Sequence, residues 1–213
     1  MPAPGTVIGS PAGSLGDAAS WSKNVAAAKA GVRGELSTAK LLDALAALPG
    51  GPTVLHDLRI PIPGINANID HVVVSGRTVT IIDSKVWKPG FYWTLAGMTW
   101  RGRERFAPAD KKTMPMALTA ITGLLERERI RARVRKPLLV VWPSNTRSAL
   151  NLGLLRSPGA KAMTSDRFTA KVASAVGVRT ANPQIVQELR NLVISIAPIS
   201  RAPKTVPFGF DEL

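Results

Sequence analysis

N-I-D-H-V-V-V-S-G-R-T-V-T-I-I-D-S-K-V-W, residues 68–87, decides how the rest of the chain is read. Two apolar runs, Ile69–Val74 and Thr78–Val86, flank Ser75-Gly76-Arg77. Both are rich in β-branched residues, which suit a pleated, half-buried surface, so both read as strands. A two-residue link with glycine first predicts a type II′ hairpin turn. That turn pairs Ser75 with Thr78, so Val72 faces Ile81 and Asp70 faces Asp83. Lys85 follows Asp83 by two residues and points to the same face. Two carboxylates and one ammonium are therefore expected to converge at the open end of the hairpin.

Like charges directly opposite on a sheet destabilise it. Either the three groups ion-pair with one another at the sheet end, or a hard cation sits between the acids. Mg²⁺ takes oxygen ligands and is commonly held by one or two carboxylates plus water and phosphate oxygens. A lysine beside it can orient a water or neutralise charge on a phosphate.

The string D-(12 residues)-D-S-K, from Asp70 to Lys85, resembles the signature of the PD-(D/E)XK nuclease superfamily. With G-E at 34–35, L-H-D-L at 55–58, N-I-D-H-V-V-V at 68–74 and I-I-D-S-K-V-W at 81–87, it resembles the nuclease-related (NERD) domain over roughly residues 31–143. Two positions depart from the pattern: Ile69 precedes Asp70 where proline is usual, and the third acid is Asp83 where glutamate is also common. The resemblance implies a Mg²⁺- or Mn²⁺-dependent nuclease acting on DNA, with RNA an alternative. Its metal would be held by Asp70, Asp83, the Ser84 backbone carbonyl and Glu35, with Lys85 placing the attacking water. The rival reading is a catalytically silent nucleic-acid-binding module on the same fold.

Composition points the same way. The chain has 28 Lys and Arg against 14 Asp and Glu, a net charge of +14. Such an excess suits a polyanion, nucleic acid first and an anionic membrane second, although a basic surface can also serve solubility alone. With no cysteine there is no disulfide, thiolate metal site or cysteine nucleophile. No apolar run approaches the roughly 20 residues of a membrane span. The N-terminus lacks the pattern of a secretory signal. A cytoplasmic protein is expected.

Residues 1–16, rich in Pro, Gly, Ala and Ser, predict a flexible tail. Residues 17–31 predict a helix anchored by Trp21, broken at Gly31 and Gly34. A second helix, 35–48, carries Glu35, Ala39, Leu42 and Ala46 on one face. Glu35 is then either an acid favoured by the helix dipole or a member of the site. Residues 53–60 predict a strand. Residues 91–93 and 98–106 predict a further hairpin, whose second arm would carry Arg101, Arg103 and Arg105 on one side. With Arg33, Trp87 and Lys88, Arg101 and Arg103 are the candidate nucleic-acid contacts: guanidinium to phosphate, ring to base. The same row could instead be an edge strand guarded by charge.

A helix capped by Thr113 is predicted to continue through R-E-R-I-R-A-R-V-R-K, residues 127–136, as far as Pro137. That basic run is either a solvated helix end or a phosphate contact. Then come a buried strand at 138–142, a loop at 144–157, a short strand at 160–163 and helices at 166–176 and 183–194. Ser165 or Asp166 is the expected cap of the first of these helices. His71 lies on the face opposite Asp70, and both it and His56 read as packed or hydrogen-bonded. The order predicts an α/β sandwich with a central mixed sheet flanked by helices, in agreement with the restriction-endonuclease-like core that the resemblance implies. One domain is expected over 17–197, followed by a proline-rich tail over 198–213.

Overall fold

The Gly76-Arg77 turn closes the hairpin between β3 (Asn68–Ser75) and β4 (Thr78–Trp87). Its register is Ser75↔Thr78, Val72↔Ile81 and His71↔Ile82. Gly76 has φ +59 while Arg77 is not in the left-handed region, as a II′ turn requires. The computed structural model describes residue 3 and residues 5–13, 25–146 and 148–194. Trp21 and the 198–213 tail lie outside the described residues.

β4 is the central strand. Among the described residues, the main sheet runs β1 (Val7–Ile8), β2 (Thr53–Arg59), β3, β4, β9 (Leu138–Pro143), β11 (Lys161–Thr164), with β8 (Arg133–Val134) added to β4. β3 runs antiparallel to both of its neighbours, β2 and β4, whereas β9 runs parallel to β4 and β11 parallel to β9. The sheet is therefore mixed, as predicted. A smaller sheet orders β10 (Leu150–Leu154), β5 (Gly90–Leu95), β6 (Met98–Arg101) and β7 (Glu104–Arg105).

Alternation on the central strands divides the core. Val73 and Ile82 pack with Leu42, Leu45 and Ala46 of α1 (Val25–Ala46) and with Phe168 and Val176 of α3 (Ser165–Val176). Val72, Val74 and Ile81 face the other way. They pack with Ile121 and Leu125 of α2 (Thr113–Arg127), Ile185 and Leu189 of α4 (Pro183–Arg190) and Tyr92 of the small sheet. Burying a side chain of this size contributes about 1.5–3 kcal/mol, so two full faces of Val, Ile and Leu hold the layers in register.

Several expectations are corrected. α1 does not break at Gly31 or Gly34. A Cβ on Gly34 would meet Val86 Cγ2 at 2.8 Å, so the glycine is a close approach of helix to strand. Within the expected flexible tail, Val7 and Ile8 pair in parallel with Val54 and Leu55. α2 ends at Arg127, not at Pro137. Arg129 takes φ +54, and Ile130 N–H donates back to Leu125 O at 2.8 Å. That is a left-handed helix stop without glycine, closed by the apolar contact of Ile130 with the core. The residue before α2 is Lys112, with no side-chain cap, and Thr113 is already helical. The α3 cap is Thr164, which accepts from Arg167 N–H. α4 stops at Arg190, short of 194. Finally, 150–154 is strand β10 inside the expected loop, paired with β5.

Candidate active site

At the open end of the hairpin the β3–β4 ladder stops at His71↔Ile82. The next amide of β4 on this side, Ser84 N–H, donates to Asp70 Oδ2 at 2.7 Å. The carboxylate of β3 thus takes the place of a backbone partner, which corrects the simple facing pair predicted for Asp70 and Asp83. Lys85 Nζ lies 2.8 Å from Asp83 Oδ1 and 3.9 Å from Asp70 Oδ2. It also donates to the Ser84 carbonyl at 3.2 Å.

These groups line a cavity of about 280 Å³, together with Glu35, Asp57, Asn68, Trp87 and Lys111. Glu35 arrives from the first half of α1, only 9% exposed. The N-terminal segment beside β1 reaches the same acid, because the Ala12 backbone hydrogen-bonds Glu35. Burial raises the Glu35 carboxyl to about 7; Lys85 opposes the rise, and Asp57 and Asp83 add to it. Burial and the neighbouring Asp83 likewise push Asp70 well above the usual carboxylate range. Burial disfavours the Lys85 ammonium, but Asp70 and Asp83 outweigh it and hold Lys85 above its ordinary value.

Asp57 carries no signal in an alternating pattern, beyond being an acid inside the apolar run T-V-L-H-D-L. It adopts φ +53 within β2 and is 3% exposed. A left-handed aspartate inside a strand is strained. Asn68 Nδ2 donates to its Oδ1 at 3.1 Å, and its carbonyl accepts from Ile194 N–H at 2.9 Å.

Four carboxyl groups around the ammoniums of Lys85 and Lys111 give the cavity an oxygen-rich donor set, and burial and crowding already disfavour the charged forms of Glu35 and Asp70. That composition fits a hard divalent cation. Among the described residues, no three His, Cys, Asp or Glu side chains are grouped as metal ligands. The donors therefore match the one- or two-carboxylate mode, with solvent and phosphate oxygens supplying the remainder.

Behind the site runs a buried polar chain. His71 Nε2 lies 3.3 Å from Ser84 Oγ, and the His71 and His56 Nδ1 atoms are 2.8 Å apart. His56 Nε2 reaches Asp43 Oδ1 at 2.9 Å. Ser84 Oγ donates to Thr38 Oγ1 at 2.8 Å, as does Trp142 Nε1 at 2.9 Å. Both histidines are fully buried. Burial and then His56 hold His71 well below its ordinary value. Their packed, hydrogen-bonded character agrees with the sequence, and the chain clamps the Ser84 segment from beneath.

Three of the candidate nucleic-acid contacts gather around Ser144. Arg33 Nη2 donates to Ser144 O at 3.1 Å, and Lys88 and Arg101 border a shallow recess with Ser144. Ser144 N–H in turn donates to Trp87 O at 2.7 Å. Trp87 is 6% exposed, its ring packed on Tyr92 and Phe106. The row of Arg101, Arg103 and Arg105 does not form. Gly102 takes φ +57 and Arg101 pairs with Glu104, so Arg103 falls in a turn. Arg101 ion-pairs with Glu104, and Arg105 with Asp110 while lying over Trp100.

Residues 30–122, a little under half of the chain, match the family model of the nuclease-related domain, NERD. Over these residues the chain is similar to the nuclease-related domain. The matched residues include Glu35, Asp57, Asp70, Asp83 and Lys85, so every acid of the cavity falls inside the region of similarity. No curated protein and no solved structure gives a significant match. Among the described residues, no helix is long and apolar enough to cross a membrane.

Proposed function

We propose that this chain is a metal-dependent nuclease that hydrolyses DNA phosphodiester bonds. One observation carries the reading: Asp70, Asp83 and Lys85 meet in a single acidic cavity, with Lys85 Nζ 2.8 Å from Asp83 and 3.9 Å from Asp70. Asp70 and Asp83 would hold Mg²⁺ or Mn²⁺, assisted by Glu35 and the Ser84 carbonyl. When bound, the cation would polarise the phosphate and lower the pKa of a bound water. An ammonium donates and does not accept, so Lys85 orients the attacking water or neutralises charge growing on the phosphate. The Ser84 N–H fixes the Asp70 carboxylate, and the chain through His71 and Thr38 holds Ser84. Arg33, Lys88, Arg101 and Arg103 would take phosphates flanking the cut, with Trp87 forming the wall beside it.

The rival is a silent nucleic-acid-binding module. It is favoured by the grouping of only two close carboxylates around a lysine that already ion-pairs with one of them. Incubation of supercoiled, linear and single-stranded DNA with Mg²⁺, Mn²⁺ or EDTA separates the two. Cleavage with metal that Lys85→Ala abolishes supports the nuclease. Binding without cleavage under every condition supports the silent module.

A further inference from the structure

The basic run 127–136 folds in a way its composition does not advertise. Past the helix stop at Arg129, residues 131–135 run extended beside β4. Arg133 N–H donates to Arg77 O at 2.8 Å and Arg135 N–H to Val79 O at 2.9 Å. Period-two alternation then sorts the side chains. Ala132 and Val134 pack on the core, while Arg131 and Arg133 are exposed and Arg135 is half-buried. An arginine row does exist in this protein, at a place where the sequence predicts a helix.

Two more arginines join it at the hairpin turn. Arg77 is exposed at the turn itself, and its Nη1 donates to Arg131 O at 3.4 Å. Arg179, also exposed, is tied to the same turn from a third direction. Its N–H donates to Ser75 Oγ at 2.9 Å and its carbonyl accepts from Gly76 N–H at 3.4 Å. Arg77, Arg135 and Arg179 border one open recess with no acidic residue in its lining. Arg135 spends one guanidinium nitrogen on Ala175 O at 2.8 Å, at the carboxyl end of α3. Among the described residues, none of the five arginines is in an ion pair. By contrast, Arg101 and Arg105 of the small sheet are both paired.

Five guanidiniums outside any ion pair, on a hydrogen-bonded backbone, form a preorganised anion surface, since planar forked donors match phosphate oxygens. The surface sits at the far end of β4. From Val79 to Lys85 is six residues, or about 20 Å of strand. We infer that Arg77, Arg131, Arg133, Arg135 and Arg179 form a second phosphate-binding surface for the sugar–phosphate backbone of a nucleic acid, remote from the carboxylate cavity. The choice of nucleic acid as the polyanion rests on the nuclease reading; the surface itself rests only on the arginines. Such a surface would grip the flank of a bound duplex without reading its sequence, because phosphate contacts position and do not specify.

The test is equilibrium binding of a fluorescent DNA duplex in EDTA, across a salt series, so that cleavage plays no part. The variants, called pole variants because they lie at the turn end of β4, are Arg131→Ala/Arg133→Ala and Arg77→Ala/Arg179→Ala. A control, Lys40→Ala/Arg190→Ala, removes the same charge from exposed positions elsewhere. Each pole variant should flatten the slope of log affinity against log salt by about 0.9 for every phosphate it no longer neutralises, close to two units for a double variant. The control should leave the slope near that of the parent. Equal slopes for pole variants and control overturn the inference, as does a parent that binds anionic phosphatidylserine vesicles through these arginines and does not bind DNA. Exposed arginines leave the melting temperature unchanged, which a thermal melt verifies for each variant. If Lys85→Ala and parent both fail to cleave while the pole slopes still fall, the nuclease reading fails and this surface stands.

Discussion

Ser84 donates its backbone N–H to Asp70 Oδ2 at 2.7 Å, just where the β3–β4 ladder has ended. The bond holds a buried carboxylate beside Asp83, and burial and that neighbour push its pKa up. Asp70→Asn keeps an acceptor oxygen for Ser84 and removes the charge. The variant should melt higher than the parent in EDTA at pH 8, by a difference on the order of 0.5–1 kcal/mol, the range of a cross-strand charge pair. Mn²⁺ should stabilise the parent by binding only the folded site. It should do little for the variant. A variant that melts lower in EDTA and responds equally to Mn²⁺ would show that Asp70 and Asp83 do not share a cation.

Glu35 sets a pH dependence with a definite sign. Its folded-state value is about 7 against an ordinary 4.5. Between those values the folded protein keeps a proton that the unfolded chain has released. Stability therefore falls as pH rises through this window and levels off above it. The full effect amounts to about 3 kcal/mol at 1.36 kcal/mol per unit. Denaturant titrations of the metal-free protein at pH 4.5 and pH 8 should show that fall. Glu35→Gln should flatten the profile and be the more stable protein at pH 8. A parent profile that rises across the window contradicts the buried-acid account.

Lys85 separates chemistry from binding. Its side chain is 43% exposed towards the cavity, so Lys85→Ala leaves little void. Cleavage should drop by several orders of magnitude, while DNA affinity in EDTA stays close to that of the parent, because one ammonium is a small share of a +14 surface. Without Lys85 the carboxylates have no adjacent counter-charge. The variant should therefore be less stable in EDTA and gain more from Mn²⁺ than the parent does.

The central hairpin is legible in the sequence because its information is local. A two-residue turn with glycine first between two short β-branched runs leaves one register, and that register aligns Asp70, Asp83 and Lys85 on one face. Glu35 is legible as a helix-face residue, with its role left open. Asp57 is not. Its side chain enters the cavity only because β2 takes a left-handed step at that residue, and a single strained φ leaves no periodic trace.

The segments that mislead are those decided by distant partners. The basic run 127–136 has helical composition, yet Ile130 finds the core and Arg133 finds Arg77, so the chain turns extended. β10 pairs with β5 across about sixty residues, and N-L-G-L carries too little pattern to foresee that. The one-sided arginine arm fails at Gly102, whose left-handed turn makes two strands of one.

Gly34 misleads because glycine inside a helix is, on propensity alone, a fault of about 1 kcal/mol relative to alanine. Here α1 crosses β4 so closely that a Cβ would sit 2.8 Å from Val86 Cγ2. Val86 lies next to Lys85, so the helix that carries Glu35 is seated through this contact. Gly34→Ala should gain helix propensity yet lose more to overpacking, a net destabilisation of about 1–2 kcal/mol. Gly123 in α2 is the counterpart. Its added Cβ would meet only Arg127 Nη1, at 3.6 Å, so Gly123→Ala should stabilise by about 0.5–1 kcal/mol. Thermal melts of the two variants should therefore move in opposite directions. Cleavage should fall in Gly34→Ala, through displaced Glu35, and stay unchanged in Gly123→Ala. If both variants melt higher than the parent, α1 does not seat on β4 through Gly34, and the position of Glu35 in the cavity would need another support.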